Sequence, residues 1–148
     1  MPHLFYQHIA MQHTDAMGIV YFANYLALAE QARAALLREA GLPLQSLAID
    51  FGGAFAVRNI QATFLKPAHL GDQVRIQTAL TEASGATATL AQDIFRESNL
   101  LVQTRVCLAW IQNNGRVGRI PSTLIRALET HLPDAEGKVA DHLPAQRR

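Results

Sequence analysis

Asp15 is the first residue of a turn signal, Asp15-Ala16-Met17-Gly18, that lies shortly before the longest helical pattern in the chain. A carboxylate in such a place can attack an acyl carbon as a nucleophile or activate a water molecule as a general base. An Asp that opens a turn also commonly accepts hydrogen bonds from backbone amides and only orders the loop. The residues by themselves leave both roles open. Gly18 closes the turn, where glycine permits a positive φ that other residues resist.

A histidine lies two residues before this aspartate. His13 could assist proton transfer, although a single histidine beside a turn is more often solvated or a simple hydrogen-bond partner. The other histidines do not have the spacing of metal ligands, and a single cysteine, Cys107, excludes both an internal disulfide framework and a cysteine-based zinc site. The sequence therefore predicts no metal site. These other histidines are His3, His8, His69, His131 and His142.

The segment that must position these residues is helical. Apolar residues recur at helical spacing from about Phe22 to Ala40, and Gly41 with Pro43 marks the end of the pattern. The apolar stripe is wide and carries few charges, which predicts a long helix covered by other structure. Residues 4–11 before it alternate as a first strand, and residues 42–53 after it are expected to form a loop.

Beyond this loop the apolar residues recur with a period of two, which is typical of β-strands. A short helix is expected after Pro121, and the periodicity is lost from about Pro133 onwards. Turn signals separate four expected strands, at residues 55–65, from Gly71-Asp72 to 80, 87–96 and 100–112.

These elements predict an α+β protein with one domain over residues 1–132 and a flexible tail over residues 133–148. A twisted, five-stranded antiparallel sheet can wrap around the long helix and bury it, with the short helix at the carboxy terminus. That layout leaves one edge of the sheet unpaired, and edge-to-edge pairing of two copies would cover it.

Composition narrows the class of protein further. Of 148 residues, 49% are hydrophobic and 17% are charged, against roughly 25% charged in an average domain. This excludes intrinsic disorder and points to apolar surface buried between subunits. A net charge of +1 gives no field that would attract nucleic acid or an anionic membrane. The sequence has no signal peptide and no transmembrane segment, so a cytoplasmic protein is expected.

The segment from His13 to Tyr25, HTDAMGIVYFANY, resembles the signature of the hotdog-fold acyl-CoA thioesterases. The 4-hydroxybenzoyl-CoA type and the Tol-Pal-associated type carry the pattern T-D-x-x-G-(I/V)-V-Y-x-x-x-Y just before their helix. The resemblance covers about residues 4–130. The residues that match the pattern are Asp15, Gly18, Val20, Tyr21 and Tyr25. Further matches are Glu30-Gln31-Ala32-Arg33, Leu65-Lys66-Pro67-Ala68, Gly71-Asp72 and Gly118-Arg119-Ile120-Pro121.

The resemblance implies a hotdog fold and hydrolysis of an acyl-CoA to a free acid and CoA, with Asp15 as nucleophile or general base. Backbone N–H groups at the start of the helix would stabilise the charge on the carbonyl oxygen, with that of Phe22 as first choice. No cofactor is implied, because CoA is part of the substrate. A homodimer or homotetramer is implied, with each site near a subunit contact. The implied catalytic set is Asp15, Gly18, Tyr21 and Phe22.

The same resemblance implies a set of substrate-binding residues. Basic side chains would hold the phosphates of CoA, although each one taken singly fits a solvated strand end equally well. Phe22 stands where members of the Tol-Pal-associated type commonly have histidine, which predicts a more apolar or aromatic acyl group. The substrate-binding set is His13, Ala23, Asn24, Arg58, Lys66, Arg116 and Arg119.

Two alternative functions stay open for this fold. The chain could hydrolyse thioesters carried by an acyl carrier protein, or it could bind acyl groups without catalysis as an interaction protein. The choice is open because a fold does not determine an activity. The sequence also leaves the acyl group, the role of Asp15 as nucleophile or base, and the choice between dimer and tetramer undetermined.

Overall fold

The computed structural model describes residues 2–132, so the predicted tail at residues 133–148 lies outside the described part. One turn of 3₁₀ helix, Met11–His13, follows the first strand. The strands and helices of the described part are, in chain order, β1 (His3–His8), α1 (Phe22–Glu39), α2 (Leu44–Phe51), β2 (Gly53–Phe64), β3 (Gln73–Ser84), β4 (Thr87–Arg96), β5 (Asn99–Gln112) and α3 (Ser122–His131).

The five strands form one antiparallel sheet in the order β1-β3-β4-β5-β2. The α+β class and the five-stranded antiparallel sheet are therefore confirmed. The prediction of one unpaired edge was wrong, because an open sheet has an edge strand on each side, here β1 and β2. The β2 edge is the longer, with 12 residues and a bulge between Val57 and Asn59.

Helix α1 packs on the face of the sheet where the alternating apolar residues point. Its amino-terminal half contacts a buried cluster that includes Ile76 and Ile94, and its carboxy-terminal half contacts a second cluster around Leu90 and Trp110. Full burial of one such side chain stabilises the fold by about 1.5–3 kcal/mol. This packing fixes the position of the amino terminus of α1 relative to the sheet. The buried residues of α1 are Tyr25, Leu28, Ala29, Ala32, Ala35, Leu36 and Leu37.

A buried polar side chain also connects α1 to the sheet. Gln92 of β4 donates from Nε2 to the main-chain carbonyl of Ala29 and to Oγ1 of Thr78, both at 3.0 Å. Its Oε1 accepts from the Arg33 guanidinium at 2.8 Å. Burial lowers the pKa of Arg33, and the nearby Glu30 opposes this shift. Since Gln92 is fully buried and its amide is bonded at both atoms, it fixes the helix without leaving an unpaired group.

Two local predictions differ from the structure. Residues 44–51 form α2 instead of a loop, and the signals were Pro43 before the helix and Gly52 after it, at φ 77°. Leu47 of this helix is fully buried. The first strand ends at His8 instead of residue 11, because the chain turns into the 3₁₀ helix at Met11.

Candidate active site

The segment around Asp15 is a tight hairpin. Thr14 and Val20 form an antiparallel bridge, and the N–H of Asp15 donates to the carbonyl of Ile19 at 2.9 Å. The N–H of Gly18 donates to the carbonyl of Asp15 at 3.0 Å, as in a four-residue turn. Gly18 has φ 78°, and a methyl group there would meet no atom within 4 Å. The backbone conformation, and not the space, therefore requires glycine.

The exposed carboxylate of Asp15 uses one of its two oxygens in this hairpin. Oδ1 accepts from the N–H of Met17 at 2.9 Å and from the N–H of Ile19 at 3.3 Å. Oδ2 accepts no hydrogen bond from any residue between 2 and 132. One side chain thus orders the loop and still presents an oxygen that is available for chemistry.

His13 connects the hairpin to helix α1 through its backbone. Its carbonyl accepts from the N–H of Tyr21 at 3.0 Å and from Nδ2 of Asn24 at 2.8 Å. Its ring Nδ1 accepts from the N–H of Ala10 at 2.8 Å, so a neutral ring carries its proton on Nε2. The geometry therefore gives His13 and Asn24 structural contacts that place the hairpin beside the first turn of the helix.

The first turn of α1 presents unpaired backbone donors. The N–H of Asn24 donates to the carbonyl of Tyr21 at 2.8 Å, and Tyr21 makes no side-chain hydrogen bond at the helix start. Within the described residues, the N–H groups of Phe22 and Ala23 donate to no acceptor. Such groups carry the positive end of the helix dipole and can stabilise an oxyanion.

An apolar pocket of about 250 Å³ opens beside this helix start. The Phe22 ring meets the Phe64 ring edge-on at a centroid distance of 6.1 Å, and Phe64 lies 5.8 Å from the ring of Tyr25. Tyr21 and Phe22 are 51% and 56% exposed and their ring centroids lie 5.0 Å apart, so the two rings form one exposed aromatic patch beside the pocket. The pocket is lined by Ile19, Val20, Phe22, Tyr25, Phe64, Leu65, Lys66 and Pro67.

The sequence did not predict that Phe64 and Tyr25 line this pocket. Phe64 is the last residue of β2, and the β2 bulge shifts the faces of its residues relative to simple alternation. Tyr25 matched the family pattern but was not assigned to the site. Its hydroxyl accepts from the N–H of Ala68 at 2.9 Å. Burial raises the pKa of Tyr25, and this hydrogen bond opposes the shift.

The four basic residues predicted to bind phosphates lie in two places. Lys66 lines the apolar pocket, whereas Arg58 lines a depression of about 520 Å³ that also contains Val117. Arg116 and Arg119 flank Val117 in the chain. Phe64 lies six residue positions beyond Arg58 along β2, or about 20 Å at about 3.3 Å per residue. All four are exposed, and none forms an ion pair with another described residue.

Among residues 2–132, no group of three or more histidine, cysteine, aspartate or glutamate side chains could hold a metal ion. In the same part of the chain, no helix is both long enough and apolar enough to cross a membrane.

Comparison with known proteins identifies the family. Residues 17–103 match the family model described as Thioesterase superfamily, and the chain therefore belongs to this superfamily. The acyl-CoA thioester hydrolase YbgC of Escherichia coli is 37% identical over 89 residues, which are 60% of this chain and 66% of that protein. A protein of Aquifex aeolicus named putative esterase is 28% identical over 131 residues, which are 87% of this chain and 99% of that protein.

A solved structure agrees with these relatives. The crystal structure of a probable thioesterase from Bartonella henselae has a TM-score of 0.77 and 30% identity, and the match covers 82% of this chain and all of that chain. The predicted hotdog fold and the predicted class of thioester hydrolase are thus confirmed.

Proposed function

We propose that this protein hydrolyses acyl-CoA thioesters to a free acid and CoA, with Asp15 as its catalytic carboxylate. One observation carries the proposal. The free oxygen of Asp15 lies on a hairpin that is hydrogen-bonded to the first turn of α1, where the N–H groups of Phe22 and Ala23 are unpaired. The name of the Escherichia coli relative, acyl-CoA thioester hydrolase, supports CoA as the carrier.

In the general-base route, Asp15 Oδ2 takes a proton from water while the water oxygen attacks the carbonyl carbon. The carbonyl oxygen gains negative charge, which the N–H groups of Phe22 and Ala23 stabilise. The C–S bond then breaks, CoA leaves as a thiolate, and the thiolate takes the proton back from Asp15. Gly18 and Tyr21 act through the backbone that holds these groups in place.

In the nucleophilic route, Asp15 Oδ2 attacks the carbonyl carbon itself, and CoA leaves as a thiolate. Water then hydrolyses the mixed anhydride, which restores the carboxylate, releases the acid and supplies a proton to the thiolate. A burst of thiol equal to the enzyme concentration, ahead of free acid, distinguishes this route from the first.

The pocket supports an apolar or aromatic acyl group. Its lining has one charged side chain, Lys66, and one hydroxyl, that of Tyr25, which accepts the N–H of Ala68 and keeps its own O–H as a donor but belongs to a side chain that is only 4% exposed. A hydroxylated acyl group would therefore bury a polar atom that gains no side-chain partner from Phe22 or Phe64, which costs free energy. We expect benzoyl or phenylacetyl thioesters to be preferred over their 4-hydroxy analogues.

The separation between Arg58 and Phe64 supports a homodimer with shared sites. Antiparallel pairing of the carboxy-terminal halves of two β2 edges would bring Arg58, in the middle of one strand, beside Phe64 at the end of the other. Arg58, Arg116 and Arg119 of one copy would then hold the CoA phosphates, while the other copy supplies Lys66 and the pocket. Sedimentation velocity tests this proposal, and a monomer in solution would contradict it.

The test of the function is thiol release from a panel of CoA thioesters: short aliphatic, long aliphatic, benzoyl, phenylacetyl and 4-hydroxybenzoyl. Asp15→Asn runs beside the wild type, and Asp50→Asn, an exposed change on α2, serves as the control. Turnover that is lost only in Asp15→Asn supports the proposal. Equal rates in all three proteins would remove Asp15 from the mechanism. Turnover of a carrier-protein thioester alone would overturn CoA as the carrier.

The proposed chemistry requires neither a metal nor a cofactor. Dialysis against a chelator is therefore expected to leave thiol release unchanged, and a loss restored by added metal would contradict the proposal. The cytoplasmic location stays a prediction.

A further inference from the structure

An ion pair closes the loop between β2 and β3. Arg96, the last residue of β4, donates from Nη1 to Asp72 Oδ2 at 2.8 Å and to the carbonyl of Pro67 at 3.1 Å. The same Asp72 oxygen accepts from the N–H of His69 at 2.8 Å. Both charged side chains are about three-quarters buried, with exposed fractions of 27% for Arg96 and 24% for Asp72. The guanidinium thus holds both ends of the six-residue segment 67–72 within this loop.

The other side of this loop carries the Asp15 hairpin. The N–H of Val20 donates to the carbonyl of Ala68 at 3.0 Å, and the N–H of Leu70 donates to the carbonyl of Gly18 at 3.0 Å. Ile19 and His69 form an antiparallel bridge between these two bonds. The hairpin and the loop are therefore paired through backbone hydrogen bonds, as two short antiparallel strands are.

The loop is also bonded to helix α1. The N–H of Ala68 donates to the hydroxyl of Tyr25 at 2.9 Å, and Pro67 lines the apolar pocket. Val20 lies between Asp15 and Phe22 in the chain, so its bond to Ala68 sets where the hairpin joins the helix. A displacement of the loop changes the separation between the carboxylate and the unpaired N–H groups.

We propose that Arg96 and Asp72 are positioning residues for hydrolysis, acting through residues 67–72 on the distance between Asp15 and the N–H of Phe22. The inference rests on the proposed function of the Asp15 site. Neither side chain lines the apolar pocket, so we expect their loss to affect the rate of the chemical step more than the binding of substrate. Misplacing reacting groups by about 1 Å can cost about 10²-fold in rate.

Arg96→Met tests this role, and Arg96→Lys tests its rescue. Met removes both hydrogen bonds, and we expect kcat to fall roughly 10- to 100-fold with KM changed less than about threefold. Lys keeps a cationic donor for the Pro67 carbonyl and the Asp72 carboxylate, so most of the rate is expected to return. An unchanged kcat in Arg96→Met would overturn the role.

Arg105→Met is the matched control, because Arg105 makes the same kind of contacts elsewhere. Its Nη1 donates to Asp93 Oδ1 at 3.4 Å and to the carbonyl of Thr104 at 2.8 Å, within strands β4 and β5. Its exposed fraction, 29%, is also similar. We expect a loss of stability like that of Arg96→Met with kcat unchanged. An equal fall of kcat in both variants would reduce Arg96 to a general stabilising residue and overturn the proposal.

Amide hydrogen exchange gives a second readout that does not depend on turnover. The N–H groups of Val20 and Leu70 are expected to exchange faster in Arg96→Met than in wild type, and to stay protected in Arg105→Met. Unchanged exchange at both amides would overturn the positioning role even if no CoA thioester is hydrolysed. A wild type that turns over no thioester, with faster exchange in Arg96→Met, would instead refute the proposed function and leave the loop contact supported.

Discussion

The side-chain amide of Asn24 donates to the main-chain carbonyl of His13 at 2.8 Å and thereby joins the first turn of α1 to the hairpin of Asp15. The same carbonyl accepts the N–H of Tyr21 at 3.0 Å. Two hydrogen bonds on one oxygen hold the hairpin to the helix start from one side, while the contacts of Val20 hold it from the other. The relative position of the carboxylate and the helix N–H groups thus depends on a neutral side chain.

Asn24→Ala is expected to slow the enzyme although Asn24 carries no charge. In this variant the carbonyl of His13 still accepts the N–H of Tyr21, so only one hydrogen bond is lost. The loss of stability should therefore be about 1 kcal/mol. The looser hairpin should lower kcat roughly three- to tenfold, less than a full 1 Å misplacement costs. Steady-state kinetics and urea unfolding measure the two effects.

The control for this change is Asn113→Ala. Asn113 also donates from Nδ2 to a main-chain carbonyl, that of Ala48, at 3.0 Å. It should lose at most a similar stability and keep its kcat. If both variants lose rate alike, the link between Asn24 and His13 has no special role.

Gly18→Ala should lower both stability and activity, because φ at this residue is 78°. The left-handed conformation costs a residue with a side chain about 1–2 kcal/mol, and relaxing that strain moves the turn that carries Asp15. Gly41→Ala meets nearly the same φ, 80°, just after α1, also with no atom within 4 Å of the added methyl group. It should therefore unfold at a similarly lower urea concentration while keeping its turnover. Full activity in Gly18→Ala would show that the active site does not require glycine at this position.

The acid stability of the fold should depend on Asp72. Burial raises the pKa of this carboxyl, but the hydrogen bond from His69 and the hydrogen bond and charge of Arg96 outweigh it and hold the pKa below its usual value. A lowered folded-state pKa contributes stability that is present above about pH 3.9 and is lost as the pH falls towards the folded value.

The difference in unfolding free energy between wild type and Asp72→Asn should therefore be larger at about pH 5 than at about pH 3. Urea unfolding at the two pH values measures it. Asp50→Asn should follow the wild type at both values, since Asp50 is exposed on α2. A difference that does not shrink in acid would show that the Asp72 carboxylate contributes no charge-dependent stability.

The sequence predicted elements whose residues repeat regularly and missed contacts between distant residues. Apolar residues recur at every second position, as in Val74 and Ile76 or Val106 and Leu108, and this period predicted strands β3 and β5. The pairing of Asp72 with Arg96 joins residues 24 apart and depends on the register between β3 and β4, which no local pattern specifies. Phe64 was missed for a related reason, since the bulge in β2 decides which of its residues face α1.

The role of Asp15 shows a different limit of the sequence. Turn propensity supported a structural role for this carboxylate, and the family resemblance implied a catalytic one. The hairpin satisfies the first with Oδ1 and leaves Oδ2 free for the second, so the two roles do not exclude each other. Residue types alone cannot distinguish two oxygens of one side chain, because their surroundings come from the folded backbone.

Phe64→Ala should change which acyl group the enzyme prefers. Phe64 is 46% exposed in the single chain, so its truncation should cost each subunit little stability, but it removes the ring that contacts Phe22 and Tyr25 at the pocket. Aromatic contacts contribute about 0.5–1.5 kcal/mol beyond buried area, so kcat/KM for phenylacetyl-CoA should fall roughly three- to tenfold relative to that for acetyl-CoA. Leu44→Ala, 47% exposed on α2, should leave this ratio unchanged. A ratio that stays constant in Phe64→Ala would place the acyl group outside the pocket.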